Sequence, residues 1–238
     1  SDLILTVSEW SKRDICERFD CDPGKVRVSL NGLHPEVLKG APEGAGDRAR
    51  ELFAEGRPYM FAIGAGLERK NTGRMIEAFA LARERQPDLP HLLLVSGLGN
   101  QVDRFKERAQ QASVLEHVRF LPYLDQQELI AVYAGADLCI YPSLVEGWGI
   151  PVTESLALGT PIITSSTSAM PEAGGDHARY FDPHDLDSMA TAIADAIDNY
   201  VPHWPSMRND AMASARKRTW TKTAEGVLAA YREAAARG

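Results

Sequence analysis

The sequence lacks the features that mark several large classes of protein. Its 238 residues carry 26 Lys and Arg against 33 Asp and Glu, a formal net charge of −7, which argues against a nucleic-acid binder with its basic face. The longest apolar runs, such as residues 92–95, fall far short of the roughly 20 residues that cross a bilayer. With 44% hydrophobic and 25% charged residues, the composition is that of an ordinary globular protein.

Cysteine, histidine and aspartate show no pattern that indicates a metal site. The cysteines, Cys16, Cys21 and Cys139, include no Cys-x-x-Cys pair, which favours a reducing cytoplasm and argues against structural zinc. The six histidines lack metal-ligand spacing. Two Asp-x-Asp sequences, at 20–22 and 185–187, do not follow buried strands, so we expect both to be structural. A Gly-x-Ser-x-Gly elbow is absent, and hydrolase chemistry has no signal.

Short apolar segments alternate with helical patterns along most of the chain. Helices with recognisable N-terminal caps begin near Thr72, Asp125 and Asp185. The segments between them are apolar on both faces, as in strands of a parallel sheet. Such strands are predicted over residues 26–30, 59–63, 92–96, 118–121, 138–141 and 161–164. The alternation predicts an α/β fold built on a Rossmann-like, doubly wound parallel sheet.

The regularity of this pattern divides the chain into three parts. Residues 58–205 form the regular α/β core. Residues 1–57 are less regular and contain a helix over 9–19, a strand and a Pro/Gly-rich stretch. Residues 206–238 are predicted to be C-terminal helices that flank the core.

The unusual loop residues follow the predicted strands, where open α/β sheets bind their ligands. Because the carboxyl ends of parallel strands meet at one edge, these loops predict a single cleft. The residues that we expect to line it are Gly64, Gly66, Gly97, Leu121 and Tyr123, together with the segment that follows the strand at 138–141.

That segment contains the most specific feature, the sequence EGWGIPVTE from Glu146 to Glu154. Its glycines allow a close approach of the backbone, and its proline suits the start of a helix. The amides around Gly149, Ile150 and Val152 are therefore expected to face an anion such as diphosphate at the helix N-terminus. The two carboxylates are placed to grip hydroxyls on either side of that anion. In isolation, Glu154 would rather be expected to complement the helix dipole and Glu146 to be solvated, but the glycine pattern favours the binding role.

A basic pair, Arg69 and Lys70, follows the strand at 59–63 and supplies cations to the same edge. Arg grips phosphate through two N–H groups, whereas Lys acts as a point charge. Gly64 and Gly66 miss the G-x-G-x-x-G pattern, which argues against a dinucleotide dehydrogenase. Trp148, between two glycines, suits a sugar-facing wall or a core position.

Together these motifs resemble those of family 4 retaining glycosyltransferases. The resemblance rests on Glu146-x7-Glu154, on Arg69-Lys70-Asn71, and on the segments 141–143, 159–163 and 168–176. Such enzymes have two Rossmann-like domains in the GT-B arrangement. The chain resembles the C-terminal, nucleotide-sugar-binding half with its flanking C-terminal helices. Its first 57 residues would adjoin the domain junction, and an N-terminal acceptor domain would be its partner.

The resemblance also implies roles for the candidate residues. Glu154 would hold the ribose hydroxyls of the nucleotide, and Glu146 would contact the donor sugar. Arg69 and Lys70 would stabilise the diphosphate as it leaves, a stabilisation of several kcal/mol. Many relatives carry Arg where this chain has Ala65, so the phosphate role rests on the basic pair. The remaining binding residues would be Gly147, Trp148 and Gly149 through their amides, and the backbone around Leu121 and Tyr123 against the base.

The expected function is the transfer of a hexose from a nucleotide sugar to a glycan or lipid-linked acceptor, without a cofactor or a metal. Resemblance of residues 69–71 and 164–169 to bacterial mannosyltransferases makes GDP-mannose the first candidate donor. A cytoplasmic location is expected, at the inner face of the membrane if the acceptor domain contacts lipid. Two alternatives are a nucleotide-sugar-binding module without turnover and a GT-B-fold nucleotide-sugar epimerase.

Overall fold

The computed structural model describes residues 3–64 and 66–237, which form an α/β structure around a parallel sheet. Short 3-10 turns and one π turn connect some of its elements. In chain order the strands and helices are β1 (Ile4–Thr6), α1 (Glu9–Phe19), β2 (Val26–Val28), α2 (Pro35–Lys39), α3 (Ala45–Ala54), β3 (Tyr59–Ile63), α4 (Thr72–Arg85), β4 (Leu92–Ser96), α5 (Val102–Gln111), β5 (Val118–Phe120), α6 (Gln126–Gly135), β6 (Leu138–Tyr141), α7 (Ile150–Leu158), β7 (Ile162–Ser165), α8 (Met170–Gly174), β8 (Arg179–Phe181), α9 (Leu186–Asp195), α10 (Val201–Ala215) and α11 (Trp220–Arg237).

The main sheet has six parallel strands in the order β5-β4-β3-β6-β7-β8. The chain first builds outward from β3 through β4 to β5, and then returns to place β6 on the other side of β3. This order confirms the predicted doubly wound arrangement. It also creates a switch point between β3 and β6, where the loops beyond the two strands diverge and leave a crevice. A separate two-stranded parallel sheet joins β1 and β2.

Helices cover the main sheet on both faces. Helix α4 packs against α5 and α9, whereas α6 packs against α3 and α7, and α7 packs in turn against α10. Every residue of β4, β6 and β7 is buried, which explains why these strands are mainly apolar rather than alternating between apolar and polar residues. Helix α1 differs, because none of its residues is buried. Within residues 3–64 and 66–237, no helix is sufficiently long and apolar to span a membrane.

The limits of β3, β4 and β6 agree with the sequence prediction, and the other predicted strands are displaced or shortened by one or two residues. Strands β1 and β8 were not predicted. The division expected after residue 205 falls inside α10. There the helix continues from α9 through a π turn at Ala196–Tyr200 and includes Pro205 in its interior.

Helices α3 and α6 approach each other at backbone distance through two glycines. A Cβ atom added to Gly135 would lie 2.4 Å from the carbonyl oxygen of Gly46 and 2.5 Å from the hydroxyl of Tyr59. That hydroxyl donates a hydrogen bond of 2.7 Å to the Val132 carbonyl within α6. The position therefore has no space for a side chain unless a helix moves.

We expect Gly135→Ala to destabilise the fold by about 1–3 kcal/mol, the usual cost of overpacking a tight contact. Chemical denaturation of the variant and the wild type measures this difference in the free energy of unfolding. Gln127→Ala, on an exposed face of the same helix, is the control and should change little. Equal stability of Gly135→Ala and wild type would contradict the close approach.

Candidate functional site

The loops that follow β3 and β6 meet at the switch point and are joined by backbone hydrogen bonds. The carbonyl oxygen of Arg69 accepts a hydrogen bond of 2.7 Å from the Leu144 amide and lies 3.1 Å from the Ser143 hydroxyl oxygen. The Ser143 carbonyl in turn accepts a bond of 2.6 Å from the hydroxyl of Ser165, at the end of β7. Three strand ends are therefore connected at one edge of the sheet, where the sequence predicted a cleft.

Four side chains converge on a single oxygen of Glu146. Its Oε1 atom lies 2.5 Å from Nη1 of Arg69 and 2.7 Å from Nζ of Lys70. The same atom accepts hydrogen bonds from the hydroxyls of Ser143 at 2.6 Å and Tyr141 at 3.1 Å. Among residues 3–64 and 66–237, no group donates a hydrogen bond to the second oxygen, Oε2. The structure thus brings together the three residues predicted to carry the chemistry, and it adds Tyr141 and Ser143 to them.

The environment of this cluster keeps Glu146 ionised. Burial alone would raise the pKa of Glu146, but the bonds from Lys70 and Ser143 and the two positive charges hold that pKa below its ordinary value. Lys70 is the more enclosed cation, with 16% of its side chain exposed against 44% for Arg69. Its Nζ lies 2.6 Å from the Tyr141 hydroxyl and 5.0 Å from the centre of that ring. Burial also raises the pKa of Tyr141, which therefore remains a donor.

The N-terminus of α7 lies directly beyond this cluster. Gly149 caps it with a φ of 135°, a conformation that favours glycine, and a Cβ there would lie 2.8 Å from the Met170 methyl carbon. In the described part of the chain, the amides of residues 147–150 have no acceptor. The Val152 amide is different, because it donates to the Gly149 carbonyl at 3.0 Å. The expectation that the Val152 amide faces the cleft unpaired is therefore wrong, since the first turn closes on itself.

Trp148 occupies a core position. Its ring is 4% exposed, and the guanidinium carbon of Arg218 lies 4.3 Å from the ring centre. Burial lowers the pKa of Arg218. The indole therefore does not form the sugar-facing wall that was one of its two interpretations. A role for the Trp148 amide stays a prediction.

Glu154 lies in a very different environment from Glu146. It is buried in α7, and its Oε2 atom accepts one hydrogen bond, of 3.3 Å, from the hydroxyl of Tyr133 on α6. Burial raises the pKa of Glu154 to about 7, and the Tyr133 hydroxyl offsets only part of that rise. The charged form is thus poorly satisfied by the protein alone.

The other predicted residues lie at the same edge of the sheet. The Gly64 amide donates to the Ser96 carbonyl at 2.9 Å, and Gly97 has a φ of 79°, with a Cβ added there lying 2.9 Å from the Gly64 carbonyl oxygen. Leu121 is buried, and its amide extends the β5 pairing, whereas Tyr123 is 91% exposed. A binding role for these four residues stays a prediction.

Beside the loop that follows β3 lies a cavity of about 240 Å³. It is lined by Gly66 and Leu144 together with the arginines at 74, 104 and 108, but not by the cluster around Glu146. Binding by Gly66 stays a prediction as well. Ala65, where many similar enzymes carry Arg, lies outside the described residues.

One aspartate of each Asp-x-Asp sequence makes local hydrogen bonds to the backbone. Asp22 accepts a hydrogen bond of 2.8 Å from the Gly24 amide, and Asp185 caps α9 by accepting bonds from the amides of Asp187 and Ser188. Across 3–64 and 66–237, no three His, Cys, Asp or Glu side chains are grouped so that they could hold a metal ion.

The raised pKa of Glu154 makes stability depend on pH. A glutamate titrates near 4.5 when unperturbed, so between pH 4.5 and 7 the folded state retains a proton that the unfolded state has lost. The free energy of unfolding therefore falls as pH rises through this range. We expect Glu154→Gln, which cannot ionise, to gain about 2 kcal/mol relative to wild type between pH 5 and pH 8.

Urea denaturation of both proteins at several pH values measures this change. Glu107→Gln, which removes an exposed carboxylate on α5, is the matched control and should follow the wild type. A stability difference between Glu154→Gln and wild type that is constant with pH would show that the buried carboxyl titrates normally.

Several curated proteins are similar to this chain over nearly all of its length. O-antigen chain mannosyltransferase B of Escherichia coli is 25% identical over 97% of this chain and 60% of its own length. A D-inositol 3-phosphate glycosyltransferase of Corynebacterium glutamicum is 27% identical over 99% of this chain and 58% of its own length. The chain thus spans about three fifths of the curated relatives that it matches.

The fold is shared with solved structures. The crystal structure of Anabaena HepE in complex with UDP and glucose superimposes on 98% of this chain with a TM-score of 0.83 at 15% identity. The match covers 64% of the HepE chain. The family model described as "Glycosyl transferases group 1" matches residues 45–218, which include the whole main sheet and the cluster around Glu146. This chain belongs to the group 1 glycosyl transferases.

Proposed function

We propose that this chain binds a nucleoside diphosphate sugar at the switch point and is the donor-binding half of a retaining glycosyltransferase. The observation that supports this best is the convergence of Arg69 and Lys70 on Glu146, immediately before the N-terminus of α7. Side-chain cations and helix amides suit a diphosphate, and carboxylates suit sugar hydroxyls.

In this proposal Glu146 contacts the hexose. Its Oε1 atom is held by Lys70, Arg69, Ser143 and Tyr141, which fixes the orientation of the carboxylate before a ligand arrives. The Oε2 atom, for which the described residues supply no partner, accepts a hydrogen bond from a sugar hydroxyl. The protein thus uses one oxygen to position the group and the other to recognise the donor.

Glu154 contacts the ribose, and ribose hydroxyls supply the donors that the protein does not. The buried carboxyl has only the Tyr133 hydroxyl as a partner in the described chain, at 3.3 Å. Two ribose hydroxyls would stabilise its ionised form and offset the cost of its burial. Binding of the nucleotide and release of a proton from Glu154 are therefore coupled.

During transfer, the bond between the anomeric carbon and the diphosphate oxygen breaks, and negative charge develops on the leaving diphosphate. Lys70, Arg69 and the amides of 147–150 stabilise this charge. Because side chains and amides supply the positive charge, the proposed transfer is independent of a metal ion. Lys70 has the larger role, since it is the more enclosed of the two cations and is screened less by solvent.

The proposed donor is GDP-mannose, and the similarity to the E. coli mannosyltransferase supports it. The Anabaena structure with UDP and glucose supports a UDP-linked donor as the competing possibility. The proposed acceptor is a glycan or lipid-linked saccharide. Since the relatives are longer, we assign acceptor binding and any contact with the membrane to a further N-terminal domain. Transfer is therefore expected to require that domain.

The two carboxylates should affect different parts of the donor. Glu154→Gln should weaken binding of the bare nucleoside diphosphate by about 10- to 100-fold, because bonds to a charged group contribute about 1.5–3 kcal/mol each. Glu146→Gln should weaken binding of the nucleotide sugar while leaving binding of the bare nucleotide nearly unchanged. Calorimetry with GDP, UDP, GDP-mannose and UDP-glucose measures both effects.

Glu107→Gln serves again as the control for this panel. Equal losses of affinity for the nucleotide and the nucleotide sugar in both variants would contradict the separate roles assigned to Glu146 and Glu154. Failure of all four ligands to bind the wild type would overturn the donor site itself. Interconversion of a nucleotide sugar without an acceptor would instead identify an epimerase.

The two cations should also differ in their contributions. We expect Lys70→Met to weaken diphosphate binding by about tenfold or more, and Arg69→Met by less, because an exposed ion contact is worth only about 1 kcal/mol or below. Titration with GDP or UDP at two salt concentrations measures both. Lys39→Met, remote from the site on α2, is the control. A larger loss for Arg69→Met would reverse the order of importance.

A further inference from the structure

Two of the three cysteines are in contact at the C-terminal end of α1. The Sγ atoms of Cys16 and Cys21 are 3.7 Å apart. The chain leaves the helix through Asp20, whose φ of 45° and ψ of 47° are left-handed, and the Cys21 amide donates to the Cys16 carbonyl at 3.2 Å. This is the Schellman arrangement, in which the side chain four residues before the left-handed residue meets the side chain directly after it. That contact is usually apolar, and here it is formed by two thiols.

This geometry is close to that of a disulfide. An S–S bond is about 2.0 Å long, so the two sulfurs, which already touch, have to approach by about 1.7 Å. Both residues are partly exposed and can be reached by a small reagent, whereas Cys139 is buried in β6. Burial raises the pKa of the Cys139 thiol to about 12, so the third cysteine remains inert.

We propose that Cys16 and Cys21 are a reversible modification site, which a low-molecular-weight disulfide such as oxidised glutathione converts to an intramolecular disulfide. One protein thiolate attacks a glutathione sulfur and releases one glutathione thiolate, leaving a mixed disulfide. The second protein thiolate then attacks the protein sulfur of that bond and releases the second glutathione. Two protein thiols are oxidised, one glutathione disulfide is reduced, and the two protons pass to the released thiolates.

The bond would close the end of the helix whose beginning touches the candidate site. The Ser11 hydroxyl donates to the Gly147 carbonyl at 3.1 Å, and the Glu172 carboxylate accepts bonds from the amides of Glu9 and Trp10. Partial burial and the contact with Cys21 raise the pKa of the Cys16 thiol. Since the thiolate is the attacking form, the reaction accelerates as pH rises.

Trypsin provides a direct test, because Arg18 lies between the two cysteines. The folded chain is incubated with oxidised glutathione, its remaining thiols are alkylated, and the trypsin digest is analysed by mass spectrometry. We expect the peptides 14–18 and 19–25 to be joined by a disulfide and to separate on reduction, while Cys139 is recovered alkylated. Cys16→Ser and Cys21→Ser should each lose the linked pair and carry a glutathione adduct on the remaining cysteine.

A second arm tests whether the helix end, rather than closeness in sequence, drives the reaction. The same incubation in urea should form the linked pair several-fold more slowly. Separate glutathione adducts on Cys16 and Cys21 in the folded chain, or two unreacted thiols, would overturn the proposal. Equal rates in the folded and unfolded chain would also overturn it, because the cap would then contribute nothing.

Discussion

The reversal of strand order between β3 and β6 is the constraint on which the site depends. It places next to each other two loops whose key residues, Arg69 and Glu146, are 77 positions apart in sequence. The Arg69 carbonyl then accepts a hydrogen bond from the Leu144 amide, so the loops are held by a main-chain contact before any charge is considered. The charged side chains are thereby brought to one place with little additional loss of conformational freedom.

The two carboxylates of the motif show how environment assigns different properties to one residue type. Glu146 has four donors on one oxygen, and its charge is compensated within the protein. Glu154 has one weak donor and a pKa near neutrality. Pairs of groups whose surroundings separate their pKa values are typical of functional sites. Burial of Glu154 contributes little to the free energy of unfolding, so stability alone does not explain its position.

Much of the fold could be predicted from sequence because the strands of a parallel sheet covered on both faces have a simple, mainly apolar sequence pattern. Strands β3, β4 and β6 are continuous apolar runs between turn residues, and their limits follow from those runs. Strands β1 and β8 were not among the predicted segments, and each is defined by its pairing with another strand, β2 or β7. The continuation of α9 through the π turn into α10, past Pro205, was likewise not predicted.

For the site, residue types were predictable and contacts were not. Glycines, carboxylates and cations can be recognised by their order along the chain, but the sharing of Oε1 by Lys70 and Tyr141 depends on how strands are arranged in space. Likewise, the burial of Trp148 under Arg218 depends on the C-terminal helices. Position between two glycines carries no information about which side of the backbone a ring will occupy.

The way in which α1 is attached has a consequence for local opening. None of its residues is buried, and its contacts with the rest of the chain at its beginning are hydrogen bonds to Glu172 and Gly147. A segment with little apolar contact opens at a free-energy cost far below that of global unfolding, and its amides exchange with solvent early. Native-state exchange would therefore separate α1 from the slowly exchanging strands of the main sheet. Each such opening would release the Gly147 carbonyl, so the loop of the proposed donor site is coupled to the opening of α1.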